Sequence, residues 1–343
     1  MTRTNSAAVV PSKQSPTMHV TSVPYSSPGE DELTIRTRAV AINPADHFIQ
    51  ERGLLLTTYP AILGCDVAGE VVEVHPSLTS KFSVGDRVIG ASTPLLLKDG
   101  AYAYSGFQEY VVLKMPAIAH VPARLDYNDA VVLPLGVYTA ASCIFAPDIL
   151  GLAMPAAGRD AGKNKTLLVW GASSSVGSCG VQLAALAGYD VVAVASAKNH
   201  DMVKSLRAKV TFDHNNPAVV DDIVEFLKGK DVVGAYDAIS KDSTLDKVCE
   251  ILDRSDAKMK VVASVRPGAE QSATHGVKVM TNSAAGKASI GLSIWPWLDQ
   301  ALKSGDIKCM PPPEVVGHGL ETVQHAVDLM GQGVSAKKLI VTI

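Results

Sequence analysis

The stretch LLVWGASSSVGSCGVQLAALAGYDVVAVAS, from Leu167 to Ser196, predicts a strand, a tight turn, a helix and a second strand. The apolar run before Gly171 is β-branched and short, and the small-residue run after it ends at Gly188. Strands and helices go on alternating to about residue 265. This alternation is typical of a doubly wound, parallel α/β sheet.

The turn after the first strand has the small residues that a dinucleotide-binding turn requires. Such a turn must bend sharply, let the backbone approach a pyrophosphate, and allow the helix to pack closely on the strand. The predicted cofactor-binding residues are Ala172, Ser173, Ser174, Ser175, Val176 and Gly177. The alternative is an ordinary strand-to-helix turn in a Rossmann-like or flavodoxin-like domain that holds another ligand.

The residues after the second strand bear on the type of dinucleotide. An acidic residue there would favour a free ribose 2'-hydroxyl, but the chain has Ser196 and Lys198. A hydroxyl and an ammonium group suit a 2'-phosphate, so the sequence predicts NADPH rather than NADH. The alternative is that Lys198 is a solvated surface lysine.

The bulk composition indicates a globular protein and excludes several classes of partner. The 343 residues carry a formal net charge of −3, which gives no basic surface for nucleic acid. We predict no membrane segment and no secretory signal. The five cysteines are scattered without a CxxC pair, which favours reduced thiols and a cytoplasmic location.

Residues from about 30 to 115 differ in character, with short β-branched runs between Gly, Pro and Asp, as in an antiparallel barrel or sandwich.

With these features, the chain resembles the medium-chain dehydrogenase/reductase superfamily. It is most similar to the zinc-independent quinone-oxidoreductase branch, with fungal ToxD-like proteins and trans-acting polyketide enoyl reductases. The resemblance is carried by the strings AVAINPADHFIQERG, YPAILGCDVAGEVVEV, FSVGDRVIG, FQEYVVL, LPLGVYTAA, VWGASSSVGSCGVQLA and GVSAKKLIVTI.

The resemblance implies two domains with the active site in the cleft between them. A GroES-like β-barrel domain, residues 1–130, would be completed by residues from about 305 to 343. A Rossmann domain, residues 131–304, would bind the cofactor.

Catalytic zinc in this superfamily needs soft ligands at places that here read NPAD and GCD. Asn43 and Asp46 occupy the first place, and Cys65 and Asp66 the second, with no histidine where the motif needs one. The four-cysteine structural lobe is also missing. We therefore expect no metal.

The resemblance also implies individual roles. Asn43 and Thr139 are expected to be catalytic residues, Asn43 near the nicotinamide and Thr139 in contact with the cofactor. Tyr138 is expected to face the same region as part of the substrate pocket. Related enoyl reductases often have a lysine where this chain has Phe48, and we expect Phe48 to line the substrate pocket. His47 is the predicted replacement as a hydrogen-bond or proton donor, and the alternatives are a packed histidine or protonation from solvent.

Three further residues have candidate roles. His214 is a candidate cofactor contact on the adenosine side, or incidental. The adjacent Lys337 and Lys338 match a family ending near the nicotinamide; Lys337 is our predicted contact, although the sequence does not decide between the two. Trp295 is either a wall of the substrate pocket or helix packing. The family's glycine at position 207 is Arg207 here.

The resulting prediction is an NADPH-dependent, zinc-independent reductase of a polarised C=C bond in an enoyl thioester or enone of fungal-type secondary metabolism. One alternative is a quinone or small-enal reductase for detoxification. Another is an NADPH-binding protein without redox activity, or a redox-neutral cyclase. The substrate would be a small molecule or a carrier-tethered acyl group, with a polyketide synthase as possible partner, and the protein a monomer or homodimer.

Overall fold

The structure is a computed structural model that describes residues 4–92, 102–155, 161–255, 257–282 and 284–343. The chain divides into two compact units. The first unit groups Met1–Leu135 with Leu298–Ile343, and the second is Gly136–Trp297.

The strands in chain order are β1 Thr4–Val10, β2 His19–Pro24, β3 Glu32–Ala41, β4 Ala61–Ile62, β5 Asp66–Val74, β6 Arg87–Ala91, β7 Tyr110–Lys114, β8 Ile118–His120, β9 Lys165–Trp170, β10 Asp190–Ala195, β11 Val210–Asp213, β12 Asp231–Asp237, β13 Val261–Ser264, β14 Lys278–Thr281, β15 Pro313–His318 and β16 Lys338–Thr342. The helices are α1 Pro44–Arg52, α2 Tyr127–Ala130, α3 Pro134–Phe145, α4 Ser175–Leu186, α5 His200–Ser205, α6 Val219–Leu227, α7 Asp242–Arg254, α8 Ala284–Ser304 and α9 Val323–Gly331.

The first unit is built on two sheets. A small antiparallel sheet has the order β2-β1-β4, and a larger one has the order β15-β16-β3-β5-β6-β8, with β7 paired to β3. Strand β16 pairs antiparallel with β3, with Val341 opposite Val40 and Ile340 opposite Ala41. The last strand of the chain therefore completes a sheet begun by the early strands.

Helix α1 follows β3 and begins where the sequence supplies a start signal. Pro44 stands in its first turn, where a missing backbone N–H costs nothing, and Asn43 occupies the extended N-cap position. The helix ends at Gly53, whose φ of 59° is a left-handed conformation that glycine adopts without a Cβ penalty. This geometry fixes Asn43 at the junction of β3 and α1.

The second unit is a parallel sheet with the order β11-β10-β9-β12-β13-β14. All five strand pairings in it are parallel. The chain starts at the centre with β9, runs outward through β10 and β11, and returns to the other side of β9 with β12. This reversal confirms the predicted doubly wound α/β sheet, in which ligands bind beside the carboxyl ends of the strands.

Each unit has its own apolar core. In the first unit it includes Val40, Val67, Phe107 and Val341. In the second, residues of β9, β10 and β12 pack with α6 and α7. Within the part of the chain that the structure describes, one helical stretch, Tyr127–Phe145, is long and apolar enough to cross a membrane by composition. Its most apolar segment is 78% buried inside the protein, as in a core helix.

Candidate functional site

The turn after β9 is shaped by two glycines. Gly171 takes a φ of 74°, which lets the chain bend sharply after the strand. A Cβ on Gly177 would lie 2.2 Å from the carbonyl oxygen of Gly171, so only glycine allows the first turn of α4 to sit this close to the strand end. This close approach is the third requirement of a dinucleotide-binding turn.

The serines of the turn organise the start of α4. Ser174 is the N-cap, and its Oγ accepts a hydrogen bond from the backbone N–H of Gly177 at 3.1 Å. Its hydroxyl hydrogen is still a donor, next to the positive end of the helix dipole. Ser175 and Val176 form the first turn of α4, half-buried, and Ala172 is buried behind them.

A residue that the sequence did not single out connects this turn to the end of β10. The Asn199 side chain is 9% exposed, and its Nδ2 donates to the Oγ of Ser173 at 3.2 Å. At the same edge, Ser196 Oγ and His214 Nε2 are 2.9 Å apart, and Lys198 is exposed. The structure thus links Ser173 to Asn199, and Ser196 to His214, at the ends of three neighbouring strands of one parallel sheet.

The first unit contains a group of buried polar side chains, which we call the buried polar cluster. Its members are Asn43, Asp46, Asp66 and Lys338. Lys338 Nζ lies 2.6 Å from Asn43 Oδ1 and 2.8 Å from Asp66 Oδ2. Asn43 Nδ2 donates to the same Asp66 oxygen at 2.9 Å. The members are 4%, 1%, 0% and 1% exposed, in that order. The amide of Asn43 is therefore held at both its oxygen and its nitrogen.

The two carboxylates of the buried polar cluster are satisfied in different ways. Asp66 pairs with the ammonium and also accepts from the backbone N–H of Leu135 at 2.6 Å. Asp46 accepts from the backbone N–H groups of Asn43 and Gly64, at 2.8 Å and 3.2 Å. Burial raises the pKa of Asp46 to about 7, and the charge of Asp66 acts in the same direction. One cation faces two carboxyl groups, so Asp46 holds a proton up to near-neutral pH.

The structure distinguishes the two adjacent C-terminal lysines. Lys338 belongs to the buried polar cluster, whereas Lys337 has a side chain that is 55% exposed and pairs with Glu314. The role of Lys337 as a cofactor contact stays a prediction. Of the two adjacent lysines, Lys338 is the one that is buried.

His47 and Phe48 lie on α1 and have other partners than Asn43. His47 Nε2 is 3.7 Å from Glu51, and its ring lies so close to Gly331 of α9 that a Cβ there would be 2.4 Å away. Phe48 is 45% exposed, with the guanidinium of Arg52 5.0 Å above its ring. Their roles as proton donor and pocket wall remain predictions.

In the second unit, Tyr138 and Trp295 pack edge to face with ring centroids 5.8 Å apart. They are 9% and 1% exposed, and Thr139 beside them is 7% exposed. The structure therefore brings the two predicted pocket aromatics together, and their contact with a substrate stays a prediction.

Comparison with known proteins identifies the fold and the family of the chain. Residues 29–123 match the sequence model of the alcohol dehydrogenase GroES-like domain, and residues 175–302 match that of the zinc-binding dehydrogenase domain. The chain is 34% identical to "Dehydrogenase pigH" of Monascus ruber, over 99% of this chain and 100% of that protein. The chain belongs to the medium-chain dehydrogenase/reductase family. The predicted fold class, a GroES-like domain with a Rossmann domain, is thereby confirmed.

Two further comparisons concern proteins named as enoyl reductases. The chain is 35% identical to "Trans-enoyl reductase himH" of Aspergillus japonicus, over 91% of this chain and 90% of that protein. The crystal structure of CurK enoyl reductase superposes with a TM-score of 0.75 at 19% identity, over 98% of this chain and 99% of that one. The latter is a likeness of fold.

Members of this medium-chain dehydrogenase/reductase family use a nicotinamide cofactor, and the second unit fits one. The close approach of Gly177 to Gly171, the N-terminus of α4 and the serine hydroxyls are features that a pyrophosphate-binding turn requires. No acidic side chain follows β10 in the segment 196–199.

The residues do not fit the zinc that the second family model's description implies. At the two ligand places, Asp46 binds backbone amides and Asp66 binds an ammonium and an amide. Among the residues that the structure describes, no three His, Cys, Asp or Glu side chains are grouped so as to hold a metal ion. Zinc prefers histidine and thiolate ligands with free lone pairs.

The sequence alone assigns no role in these arrangements to three residues, Asp46, Asp66 and Asn199. Asp46 and Asp66 stand only where zinc ligands are missing, although an aspartate inside the apolar run AILGCDVAG already signals a buried, paired carboxylate. Asn199 gave no such signal, because its partner Ser173 lies on another strand end.

Proposed function

We propose that this protein is an NADPH-dependent, zinc-independent reductase of a polarised C=C bond, in an enoyl thioester or enone of fungal-type secondary metabolism. The observation that carries the proposal is its 35% identity, over 91% of the chain, with a protein named as a trans-enoyl reductase. The turn after β9 and the basic segment after β10 support the choice of cofactor.

The proposed cofactor-binding residues act through complementary charge and close approach. When bound, NADPH would supply the hydride for the β-carbon of the substrate. The N-terminus of α4, with Ser173 and Ser174, favours an anion by its dipole and its hydroxyl donors. Ser196 and Lys198 supply a hydroxyl and an ammonium at the place where a carboxylate would repel a 2'-phosphate.

The buried polar cluster holds the amide of Asn43 in one orientation and pairs the charge of Lys338 with that of Asp66. Asn43 cannot rotate its amide without losing the bonds to both Lys338 and Asp66. A proposed catalytic residue that is held in this way has one orientation before substrate arrives, which lowers the cost of reaching the transition state. Thr139, likewise buried, stays a proposed catalytic residue of the second unit.

Reduction of an activated C=C bond also requires a proton at the α-carbon. As negative charge builds on the carbonyl oxygen, an enolate forms and is then protonated by His47 or by solvent. His47 is half-buried beside an exposed Glu51. Replacement of His47 by glutamine distinguishes the two routes, because solvent protonation would leave kcat nearly unchanged.

The remaining proposals concern the location, the oligomeric state, the form of the substrate and the partner of the enzyme. We propose a cytoplasmic enzyme, monomeric or homodimeric, that acts on a free or carrier-tethered acyl substrate with a polyketide synthase as partner. The named trans-enoyl reductase relative motivates that partner.

The first test is NADPH oxidation with a panel of enoyl thioesters of increasing length, a cyclic enone, a quinone and a saturated aldehyde. Turnover that rises with enoyl chain length, with the aldehyde silent, would support the proposal, since binding of the remote chain is used in the transition state. Turnover of the quinone alone would favour the detoxification alternative. No turnover, with NADPH still bound in calorimetry, would favour the non-redox alternative.

Lys198 offers a separate test of the cofactor. Lys198→Ala should weaken NADPH binding about tenfold and leave NADH binding nearly unchanged, because only NADPH has the 2'-phosphate. Lys204→Ala, a change on the next helix, is the matched control. Equal losses for both cofactors would refute the role of Lys198.

A further inference from the structure

The parallel pairing of β10 and β11 brings a histidine to the segment that we propose reads the 2'-phosphate. Ala195 is in register with Asp213, so Ser196 and His214 are the next residues on two neighbouring strands. Their side chains meet, with Ser196 Oγ 2.9 Å from His214 Nε2. His214 is exposed, so a ligand in solution can reach its ring.

Several charged groups lie near this pair, and Asp213, which directly precedes His214, interacts electrostatically with its ring. Asp213 accepts hydrogen bonds from the backbone N–H and the side chain of Asn215, which hold its pKa below the usual value. His200 Nε2 lies 3.2 Å from the carbonyl oxygen of Ala195. The elements next to β11 carry further ionisable groups: Asp190 on β10, which pairs with Lys209, Lys198 before α5, Asp201 and Lys204 on α5, and Asp221, Asp222 and Glu225 on α6.

We propose that His214 is a specificity-determining residue that makes the preference for a 2'-phosphorylated dinucleotide depend on pH. This inference rests on the proposed function, because it concerns the same cofactor site. Lys198 provides one positive charge, and protonation of the His214 ring adds a second.

The hydrogen bond between the two side chains gives the mechanism. A neutral ring whose Nε2 carries the lone pair accepts the hydroxyl hydrogen of Ser196, which then has no donor for a phosphate oxygen. A protonated ring can only donate, so Ser196 Oγ accepts and its hydroxyl hydrogen turns outward. Protonation of His214 therefore adds a positive charge and also frees a second donor.

Linkage requires that the reverse also holds. If protonation of His214 favours the 2'-phosphate, then binding of the 2'-phosphate favours protonation of His214. Binding of NADP should therefore be accompanied by proton uptake, and binding of NAD, which lacks the phosphate, should not.

The experiment measures the dissociation constants of NADP and NAD at about pH 6 and pH 8, on either side of the range in which histidine changes charge. The oxidised cofactors are used because NADPH decomposes in acid. The variants are His214→Gln, which keeps a hydrogen-bonding amide without a titrating ring, and His200→Gln as the matched control. The phosphate's own ionisation near pH 6 contributes equally in all of them.

The wild type and His200→Gln should lose about two- to fivefold of their preference for NADP over NAD between the two pH values, beyond any change in His214→Gln. Calorimetry in two buffers of different ionisation heat should show proton uptake with NADP, absent in His214→Gln. Equal pH dependence in the wild type and His214→Gln would overturn the inference and leave the choice of cofactor standing. No preference for NADP at either pH would overturn both.

Discussion

Replacing Lys338 with methionine would remove the cation of the buried polar cluster and keep most of the side-chain volume. Asp66 would then be a carboxylate with no opposite charge at 0% exposure, and Asn43 Oδ1 would lose its donor at 2.6 Å. Breaking a buried ion pair by removing one partner costs about 3–5 kcal/mol. Since folded proteins are stable by about 5–15 kcal/mol, this change removes a large part of the total.

Urea denaturation of the full chain gives the measurement, with the transition followed by circular dichroism. Lys337→Met is the matched control, since its side chain is 55% exposed and its ion pair with Glu314 should be worth less than about 1 kcal/mol. Adding Asp66→Asn to Lys338→Met should recover stability, because the orphaned charge is gone. If Lys338→Met were no more destabilising than Lys337→Met, the buried ion pair would not contribute as argued.

Three further predictions concern stability. The pKa of Asp46 is raised from 3.8 to about 7, so the folded state binds its proton more tightly and this group's contribution to stability is lost as pH rises towards 7. In urea titrations from about pH 5 to pH 8, Asp46→Asn should remove on the order of 2–3 kcal/mol of this pH dependence, and parallel curves for the two proteins would contradict it. Gly177→Ala should cost about 1–3 kcal/mol, because its Cβ would lie 2.2 Å from a carbonyl oxygen; an unchanged melting temperature would contradict the close approach. Arg207→Gly should raise the melting temperature slightly, since Arg207 has a φ of 78°, which costs a residue with a Cβ about 1–2 kcal/mol; a lower melting temperature would show that its side chain matters more.

The parts of the fold that depend on local pattern could be predicted from the sequence. The parallel sheet follows from alternating apolar strands and helices, and the place of Gly177 follows from the small-residue requirement of the turn. The backbone at Arg207 is left-handed after α5, which explains why glycine is the usual residue at this position, and nothing in the structure explains the arginine.

The buried polar cluster could not be predicted, because its members meet only through long-range pairing. Lys337 and Lys338 are adjacent, and β16 is buried at four successive positions, so strand alternation gives no phase that selects one of them. What selects Lys338 is the register of β16 against β3, which places its ammonium at Asn43 and Asp66. The residues around Asp66 in the GCD stretch therefore give no indication that Lys338 is its partner.

The late position of Lys338 has a consequence for synthesis on the ribosome. Lys338 lies 295 residues after Asn43. At a translation rate of about 5–20 residues per second, Lys338 is therefore synthesised roughly 15–60 s after Asn43. Until then β3 lacks its β16 neighbour, and Asp66 has no ammonium to pair with. The nascent first unit should therefore stay incompletely folded while the second unit is made, and it is in this interval that we expect chaperones to engage the chain.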